Sequence, residues 1–478
     1  MISEDEQYTA DGTFRDPAGS LVRSNSRIFR VVNRSGYQDL QAFLSTDMAK
    51  DLTRSGHLAE TTRRAEGELP ETLHSHLKTG LLDAFAVYEH TAVWFPSYAY
   101  EWSAEMLYSA AELTLDIAES ALDSGFGLKD ATPFNILFSY GKPVFVDLCS
   151  FERRVPGDPI WLAGGQFERM FLLPLLVSRK FGIDPDSVFQ TNLDGLNVGK
   201  VRKWFRFPQI LSPIVFKLAV LPNILNKIAE SEYFRTGIHY DRRVEPEKAT
   251  AILKGTIRSL RAKLAAVAPL KRNSVWSDYD PEAVELRAKM ELVTRVLSQH
   301  RPNTVLDIGC NNGTYSRIAA SFGAKVLALD SDATVVGRFW REISKEQLDI
   351  LPLVANFARP TPGHGWANRE YLSFDRRMHC RFESVLMLAV IHHIVVRDRI
   401  PLPQIFEAVA GFTTGLLVIE FVANNDSMFK RISVGREYLF LSHTEDNFVA
   451  ASAPFFDVIE RLPQESGTRV LFVMRKRG

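Results

Sequence analysis

Short apolar runs alternate with amphipathic segments through the second half of the chain. Each run is rich in Val, Leu and Ile, and the segments between them repeat apolar residues at helical spacing. The predicted strands are residues 304–308, 325–330, 350–355, 384–390, 415–422, 455–462 and 469–476. Alternation of this kind predicts an α/β fold with a mostly parallel, doubly wound sheet.

The first half of the chain carries a different pattern. Residues Ser20–Val32 alternate between apolar and polar positions, which predicts a β-hairpin. From Ala99 to Ser124, apolar residues recur at helical spacing. Two short strands, Asn135–Phe138 and Pro143–Asp147, are predicted after this helix. This half is therefore predicted to form a separate α+β domain.

The boundary between the two halves is predicted from a change in amino-acid composition along the chain. The chain has 478 residues, which at about 150 residues per domain indicates two or three domains. Residues 266–280 are polar and contain a proline, as domain linkers often do. We therefore predict a first domain over residues 1–265, a linker over 266–280 and the α/β domain over 281–478.

The composition narrows the class of protein. Lys plus Arg and Asp plus Glu are equal at 57 each, so the net charge is zero and we expect no nucleic-acid partner. Cys149, Cys310 and Cys380 form no CxxC pair, which favours a reducing, cytoplasmic compartment over a disulfide framework or a zinc site. No signal peptide and no transmembrane helix are expected. The sequence leaves the oligomeric state open.

One basic and apolar segment has two interpretations. Residues Val201–Lys227 combine lysine and arginine with Trp204, Phe205, Phe207 and several aliphatic residues. Such a segment can rest on a membrane surface or hold an acyl chain. It can also be a buried helix pair whose basic side chains extend to solvent. We favour the buried pair, and peripheral membrane contact stays as the alternative.

The segment from Val305 to Thr314 predicts a ligand-binding loop. A buried strand ends in Asp307, and a turn with Gly309 and Gly313 then opens a helix. The glycines would allow a ligand to approach the backbone at the positive end of that helix. A dinucleotide-binding GxGxxG motif is excluded because Asn311 and Thr314 stand where glycine or alanine is required.

A second acid supports a nucleoside ligand. The next predicted strand ends in Asp330, which follows Asp307 by 330 − 307 = 23 residues. An acid at this spacing lies at the neighbouring strand tip, where it can accept hydrogen bonds from ribose hydroxyls.

Together these residues resemble class I S-adenosylmethionine-dependent methyltransferases over about residues 276–478. The fourth strand, followed by His392 and His393, is similar to the signature of that family at the entrance for the methyl acceptor. Asn356 departs from the acid that the family often has at the adenine edge. The resemblance assigns the cofactor to Asp307, Gly309, Cys310, Gly313, Asp330, Asn356, Phe357 and Ala389.

Three side chains are candidates for the methyl-transfer chemistry. His392 or His393 would act as a general base, or would only cap the end of the strand. Glu420 would orient the substrate or a histidine, or would be a solvated acid at a strand end. Residues 360–370 would form a lid over the cofactor or an ordinary surface loop.

The first half has a chemical pattern of its own. Asp130 could orient a nucleophile, and Asn135 and Asp147 could share Mg²⁺ on the phosphates of ATP. These residues resemble the catalytic loop and metal-binding strand of protein-kinase-like phosphotransferases. No glycine-rich phosphate loop is present, and Arg30 replaces the expected lysine. The alternatives are a degenerate lobe, an active kinase with Mg-ATP, and turn-forming residues without catalytic meaning.

The resemblances imply a two-part enzyme. We expect an S-adenosylmethionine-dependent methyltransferase that acts on a hydroxyl, or less readily an amine, of a small molecule or glycan. The kinase-like half would dock substrate or bind a nucleotide. The alternative function is an ATP-dependent phosphotransferase that carries an accessory methyltransferase domain.

Overall fold

A computed structural model describes residues 8–9, 16–24, 27–78, 84–225, 243–272 and 284–478. The chain divides into two compact units, with one boundary between Leu270 and Lys271, inside the predicted linker. The segment Gly363–Tyr371 belongs to the first unit although its neighbours in the chain belong to the second. Residues 273–280 of the predicted linker lie outside the described part.

An antiparallel sheet opens the first unit. Its strand order is β1-β2-β3-β5-β4. The strands are β1 Tyr8–Thr9, β2 Gly19–Ser24, β3 Arg27–Val32, β4 Thr61–Arg64 and β5 Ala86–His90. Strands β2 and β3 pair over their full length, which confirms the predicted hairpin, although residues 25 and 26 at its tip lie outside the described part. Phe29 and Val31 point into the apolar core of this unit.

A central helix follows the sheet of the first unit. It spans Ala104–Asp123 and begins after Ser103, whose side chain accepts a hydrogen bond from the Met106 amide. The helix therefore begins five residues later than predicted, because Ala99–Glu101 forms a separate 3₁₀ turn. The α-helices of this unit also include Arg34–Leu44, Asp47–Arg54, Glu71–Lys78, Ala163–Phe167, Leu173–Phe181, Pro185–Thr191, Val198–Trp204, Pro213–Val215 and Pro246–Ala266.

Two small hairpin-like sheets complete the first unit. Strand β6 Phe126–Leu128 pairs with β9 Phe151–Arg153, and β7 Ile136–Ser139 pairs with β8 Lys142–Phe145. The β7–β8 pair is the predicted hairpin, displaced by one or two residues. It places Asn135 and Asp147 at the same end, because the Val146 amide donates to the Asn135 carbonyl.

The second unit is built on a seven-stranded sheet. Its strands are β10 Thr304–Ile308, β11 Lys325–Asp330, β12 Ile350–Val354, β13 Phe382–Met387, β14 Thr413–Val422, β15 Phe456–Pro463 and β16 Arg469–Lys476. The order is β12-β11-β10-β13-β14-β16-β15, with the first five strands parallel and β16 antiparallel to both of its neighbours. The predicted mixed α/β architecture is confirmed, and each predicted strand is present.

The topology of this sheet creates a crevice for a ligand. From β10 the chain moves outward to β11 and β12, and then returns to the other side of β10 as β13. Ligands of open α/β sheets bind at such a switch point, beyond the carboxyl ends of the strands. The helices of the unit are Val284–His300, Thr314–Ser321, Ala333–Glu346, Phe374–Met378, Ile391–His393, Leu402–Phe412, Ser427–Ser433 and Glu445–Ser452.

Within the described residues, every helix is too short or too polar to cross a lipid bilayer.

Candidate functional site

The loop after β10 has a backbone that only particular residues can adopt. Gly309, Asn311 and Gly313 all have positive φ, at +76°, +47° and +77°. A Cβ at Gly313 would lie 1.9 Å from the ring of Phe339, and one at Gly309 would lie 3.0 Å from a Val390 methyl. Glycine is therefore required at both positions for conformational and steric reasons.

Asp330 holds this loop in place from the tip of β11. One carboxylate oxygen accepts from the Asn311 amide at 3.0 Å, and the other accepts from the Asp332 amide at 3.0 Å. Burial raises the pKa of the Asp330 carboxyl. Each oxygen has a second lone pair for a donor from a ligand. Asp330 therefore lies where the sequence predicted it, at the switch point.

Asp307, the first acid of the predicted site, lies inside the sheet near the end of β10. Its side chain is fully buried, and Oδ2 accepts from the Ser316 hydroxyl at 2.6 Å. Burial raises its pKa to about 6, and the nearby charge of Asp330 acts in the same direction. The carboxyl group thus ties the end of β10 to the helix Thr314–Ser321. It supports the loop from beneath.

Three other predicted cofactor positions directly follow the carboxyl ends of β10 and β12. Cys310 is buried, and burial raises the pKa of its thiol far above the ordinary value. Asn356 follows β12, and its Oδ1 accepts from the Ala358 amide at 2.9 Å, which fixes the turn. Phe357 is half-buried, with its ring edge-on to Phe412.

Ala389 lies in a strained conformation beside β13. It has φ of +54°, which is unfavourable for a residue with a Cβ. Its amide donates to Oε2 of Glu420 at 2.6 Å. The hydrogen bond holds the loop between β13 and the following helix, next to the glycine loop at Gly309. Strain of this kind is concentrated at functional sites.

Glu420 is the centre of a buried polar network. The carboxylate is wholly inaccessible to solvent, which rules out the solvated strand-end acid among our two interpretations. Lys289 Nζ lies 2.8 Å from Oε1, and Gln464 Nε2 donates to Oε1 at 2.7 Å. With the Ala389 amide, the carboxylate joins three separated parts of the chain.

Sequence reasoning missed Lys289 and Gln464. Lys289 occupies the apolar face of the helix Val284–His300, in line with the buried Val293 and Val296. A lysine at an apolar-face position is a signal that the sequence does contain. Gln464 lies in the turn between β15 and β16 and shows no comparable signal.

His392 and His393 follow Ala389 at the start of a short helix. His392 is buried, and neither of its ring nitrogens has a hydrogen-bond partner. Burial lowers the pKa of His392 to about 3, and the neighbouring His393 acts in the same direction. The centroids of the His392 and His393 rings are 4.2 Å apart. Burial also lowers the pKa of His393, which is less buried.

An ion pair lies close to the histidines. Asp426 accepts from Arg469 Nε at 2.9 Å and from the Thr468 hydroxyl at 2.8 Å. These hydrogen bonds outweigh burial and lower the pKa of Asp426 to about 2. The carboxyl edge from β13 to β16 therefore carries a continuous row of polar side chains.

In the first unit, the predicted kinase-like residues lie together around Arg30. The Arg30 guanidinium is buried and lies 3.1 Å from Asp147 Oδ1 and 3.4 Å from Asp16 Oδ2. Burial raises the pKa of Asp130, and the charge of Asp147 raises it further. Asn135 is buried, and its Nδ2 has no hydrogen-bond partner.

In this arrangement the carboxylate predicted to hold the metal is already paired with a cation. Asp147 lies 3.1 Å from the guanidinium of Arg30, which balances its charge. Asn135, the second predicted ligand, would bind a cation through its Oδ1. Among the described residues, no group of three His, Cys, Asp or Glu side chains could hold a metal ion.

The loop 360–370 is largely exposed, as an ordinary surface loop would be. Its residues from Gly363 onward, together with Tyr371, pack in the first unit. The Tyr371 ring lies 4.9 Å from Phe134 and 5.1 Å from Tyr98. The segment is therefore held by aromatic contacts.

Comparison with known proteins finds one curated relative of nearly the same length. The chain is 27% identical over 476 residues to nodulation protein NoeA of Rhizobium meliloti strain 1021. The alignment covers 97% of this chain and 95% of that protein, so it includes both units. No protein-family model matches the chain.

Two solved structures with weak likeness are methyltransferases by name. The N-methyltransferase NodS of Bradyrhizobium japonicum WM9, in complex with S-adenosyl-L-homocysteine, is 14% identical, with a TM-score of 0.31. The overlap covers 42% of this chain and 94% of NodS. Magnesium protoporphyrin IX methyltransferase of Synechocystis PCC 6803, also with S-adenosyl-L-homocysteine, is 14% identical over 47% of this chain and 95% of its own, with a TM-score of 0.31. Such scores are too low to establish a common fold.

Proposed function

We propose that the second unit is an S-adenosylmethionine-dependent methyltransferase. The observation that carries this proposal is the loop Gly309–Gly313, which Asp330 holds open at the switch point of the sheet. The strained Ala389 lies in the loop after β13, the strand next to β10. The sequence resemblance to class I methyltransferases rests on these same positions.

The residues at the crevice fit the proposed cofactor. The ribose hydroxyls would donate to Asp330, and the nucleoside would lie against the loop backbone at Gly309 and Gly313. Asn356 and Phe357 would border the adenine. Bound S-adenosylmethionine supplies an electrophilic methyl group. Asp307 contributes indirectly, by fixing the helix that follows the loop.

The acceptor would be a hydroxyl or an amine of a small molecule or glycan. His392 is neutral at physiological pH, and a neutral imidazole has one bare ring nitrogen that accepts a hydrogen bond. With its lowered pKa, His392 is a weak base, so its main contribution would be to orient the acceptor. Most of the rate enhancement would come from this alignment. His393, with a smaller loss of basicity, would receive the proton.

We further propose that the first unit is a kinase-like scaffold that docks substrate and does not transfer phosphate. The Arg30–Asp147 ion pair supports this reading, because it replaces the metal charge that phosphoryl transfer requires. The likeness to NoeA extends over both units, which supports one joint role for them. An ATP-dependent phosphotransferase is the second candidate function.

Calorimetric titration of the whole chain with S-adenosylhomocysteine tests the proposal, because this product binds without an acceptor. We expect a one-to-one isotherm with a micromolar Kd. Asp330→Asn should weaken binding about 10- to 100-fold, since each lost hydrogen bond to a charged group contributes about 1.5–3 kcal/mol.

Asp349→Asn is the matched control. Asp349 is an exposed acid before β12, at the opposite edge of the same sheet, so binding should not change. The proposal is wrong if the parent protein gives no binding heat, or if Asp330→Asn binds as tightly as the parent while both remain folded. Labelled S-adenosylmethionine then identifies acceptors among glycans and small molecules.

A further inference from the structure

The segment around residues 198–225 has an unusual charge distribution. No aspartate or glutamate occurs between Asp194 and Glu230, whereas this interval contains six lysines and arginines. The whole chain has a net charge of zero, so this concentration of positive charge is local. Four of the basic side chains are exposed in the structure: Lys200, Lys203, Arg206 and Lys217.

The same segment exposes large apolar side chains. Phe207 is 76% exposed, Leu211 65% and Leu225 54%. Trp204, Phe216, Leu221 and Ile224 are each at least 40% exposed. Single apolar residues at a surface are ordinary, but seven within 22 positions form a concentration that usually marks an interaction site. We call these seven residues and the four exposed bases the 198–225 surface.

The apolar residues on the inward side of the segment are already buried. Val201, Phe205, Val215 and Leu218 are buried in the first unit. The buried helix pair that we favoured from the sequence is therefore correct for these residues only. It is wrong for the seven exposed apolar residues, because the segment carries apolar side chains on its solvent-facing side as well as on its buried side.

We propose that the 198–225 surface binds the interface of a lipid bilayer that contains anionic lipids. Aromatic and aliphatic side chains among exposed bases match both parts of such an interface, the acyl boundary and the charged headgroups. A second copy of this surface would bring like charges together. A nucleic-acid interface is mainly polar, whereas this surface is mainly apolar. The proposal is independent of the proposed methyl transfer.

Flotation of the whole chain with lipid vesicles tests this proposal. We expect weak binding to phosphatidylcholine vesicles and stronger binding when phosphatidylglycerol is added. High salt should weaken binding to the anionic vesicles, because the headgroup attraction is screened within a Debye length.

Two double variants separate the apolar and charged contributions. Phe207→Ser with Leu211→Ser should reduce binding to both kinds of vesicle by about tenfold or more. Lys203→Glu with Arg206→Glu should reduce binding to anionic vesicles by about tenfold or more and leave binding to neutral vesicles unchanged, since each base near an anionic surface contributes about fivefold.

Matched controls lie elsewhere on the first unit. Leu162→Ser removes an apolar side chain that is 86% exposed, and Lys248→Glu reverses an exposed base on the helix Pro246–Ala266. Both should float like the parent. Thermal unfolding checks that every variant is folded.

Three outcomes would overturn the proposal. The first is that the parent protein fails to float with anionic vesicles under any salt condition. The second is that the controls lose as much binding as the surface variants. The third is that the surface variants float normally but lose self-association in size-exclusion chromatography, which would assign the surface to a second copy of the chain.

Discussion

Glu420 accepts hydrogen bonds from three parts of the second unit, and its charge is balanced by Lys289 alone at hydrogen-bonding distance among the described basic residues. Arg469 Nη1 is farther away, at 3.9 Å. Removing one member of a buried ion pair leaves an uncompensated charge, which costs about 3–5 kcal/mol. The contribution of Lys289 to stability is therefore expected to depend strongly on the presence of Glu420, and that of Glu420 on Lys289.

A double-mutant cycle measures this dependence. Lys289→Met and Glu420→Gln should each lower the free energy of unfolding by about 3 kcal/mol. The double variant should lose clearly less than the sum of the two, because neither charge is then left alone. Urea unfolding of the whole chain, followed by circular dichroism, gives the three values. Additive losses would show that the pair is not coupled.

Replacing His392 should increase the stability of the protein and lower its activity. Burying two ring nitrogens without partners costs free energy, so His392→Leu should raise the free energy of unfolding by about 1 kcal/mol at pH 7. The same variant should lower methyl transfer, since the acceptor loses its hydrogen-bond partner. A variant that gains stability and keeps full activity would remove His392 from the site.

The gain from His392→Leu should depend on pH. The folded pKa of about 3 lies below the ordinary value of about 6.5, so between these values only the unfolded imidazole is protonated. The parent protein therefore loses stability as the pH falls through this window. The difference between variant and parent should grow by about 2 kcal/mol from pH 7 to pH 5. Urea unfolding at both pH values checks this, and a constant difference would contradict it.

At the scale of elements, the β2–β3 hairpin brings Arg30 to the loop after β8. We predict that magnesium and ATP leave the melting temperature of the parent protein unchanged, because Arg30 already neutralises Asp147. Arg30→Met should cost about 1.5–3 kcal/mol, since it removes charged contacts to the half-buried Asp147 and Asp16, and Mg²⁺ should then raise the melting temperature of the variant. Lys129→Met, at an exposed base on the neighbouring loop, is the control. Stabilisation of the parent by Mg-ATP would instead favour the phosphotransferase.

The elements of the second unit were predictable because buried parallel strands are nearly continuous apolar runs. The glycine loop was predictable because only glycine fits its backbone at positions 309 and 313. The surroundings of Glu420 were not, because Lys289 lies 131 residues away along the chain. The hydrogen bond between Asp307 and Ser316 was not predictable either, because sequence gives the end of a strand and not the direction in which a side chain points there.

At the scale of the whole molecule, the chain enters the first unit a second time. Gly363–Tyr371 lies between two strands of the second unit in sequence, yet it belongs to the first unit in space. No pattern in the sequence predicts this, because the segment reads as a loop rich in proline and glycine. A residue numbered within the second half of the sequence therefore contributes to the stability of the first unit.

Tyr371→Ala tests this assignment. The ring contacts Phe134 and Tyr98, and each aromatic pair contributes about 0.5–1.5 kcal/mol. We expect the variant to destabilise the first unit by about 2 kcal/mol, seen as faster hydrogen exchange in the helix Ala104–Asp123. Trp366→Ala is the control from the same segment, because its ring is 69% exposed and should contribute little. Equal exchange in both variants would mean that the segment is not part of the first unit, whereas faster exchange in Tyr371→Ala alone would assign its ring to that core.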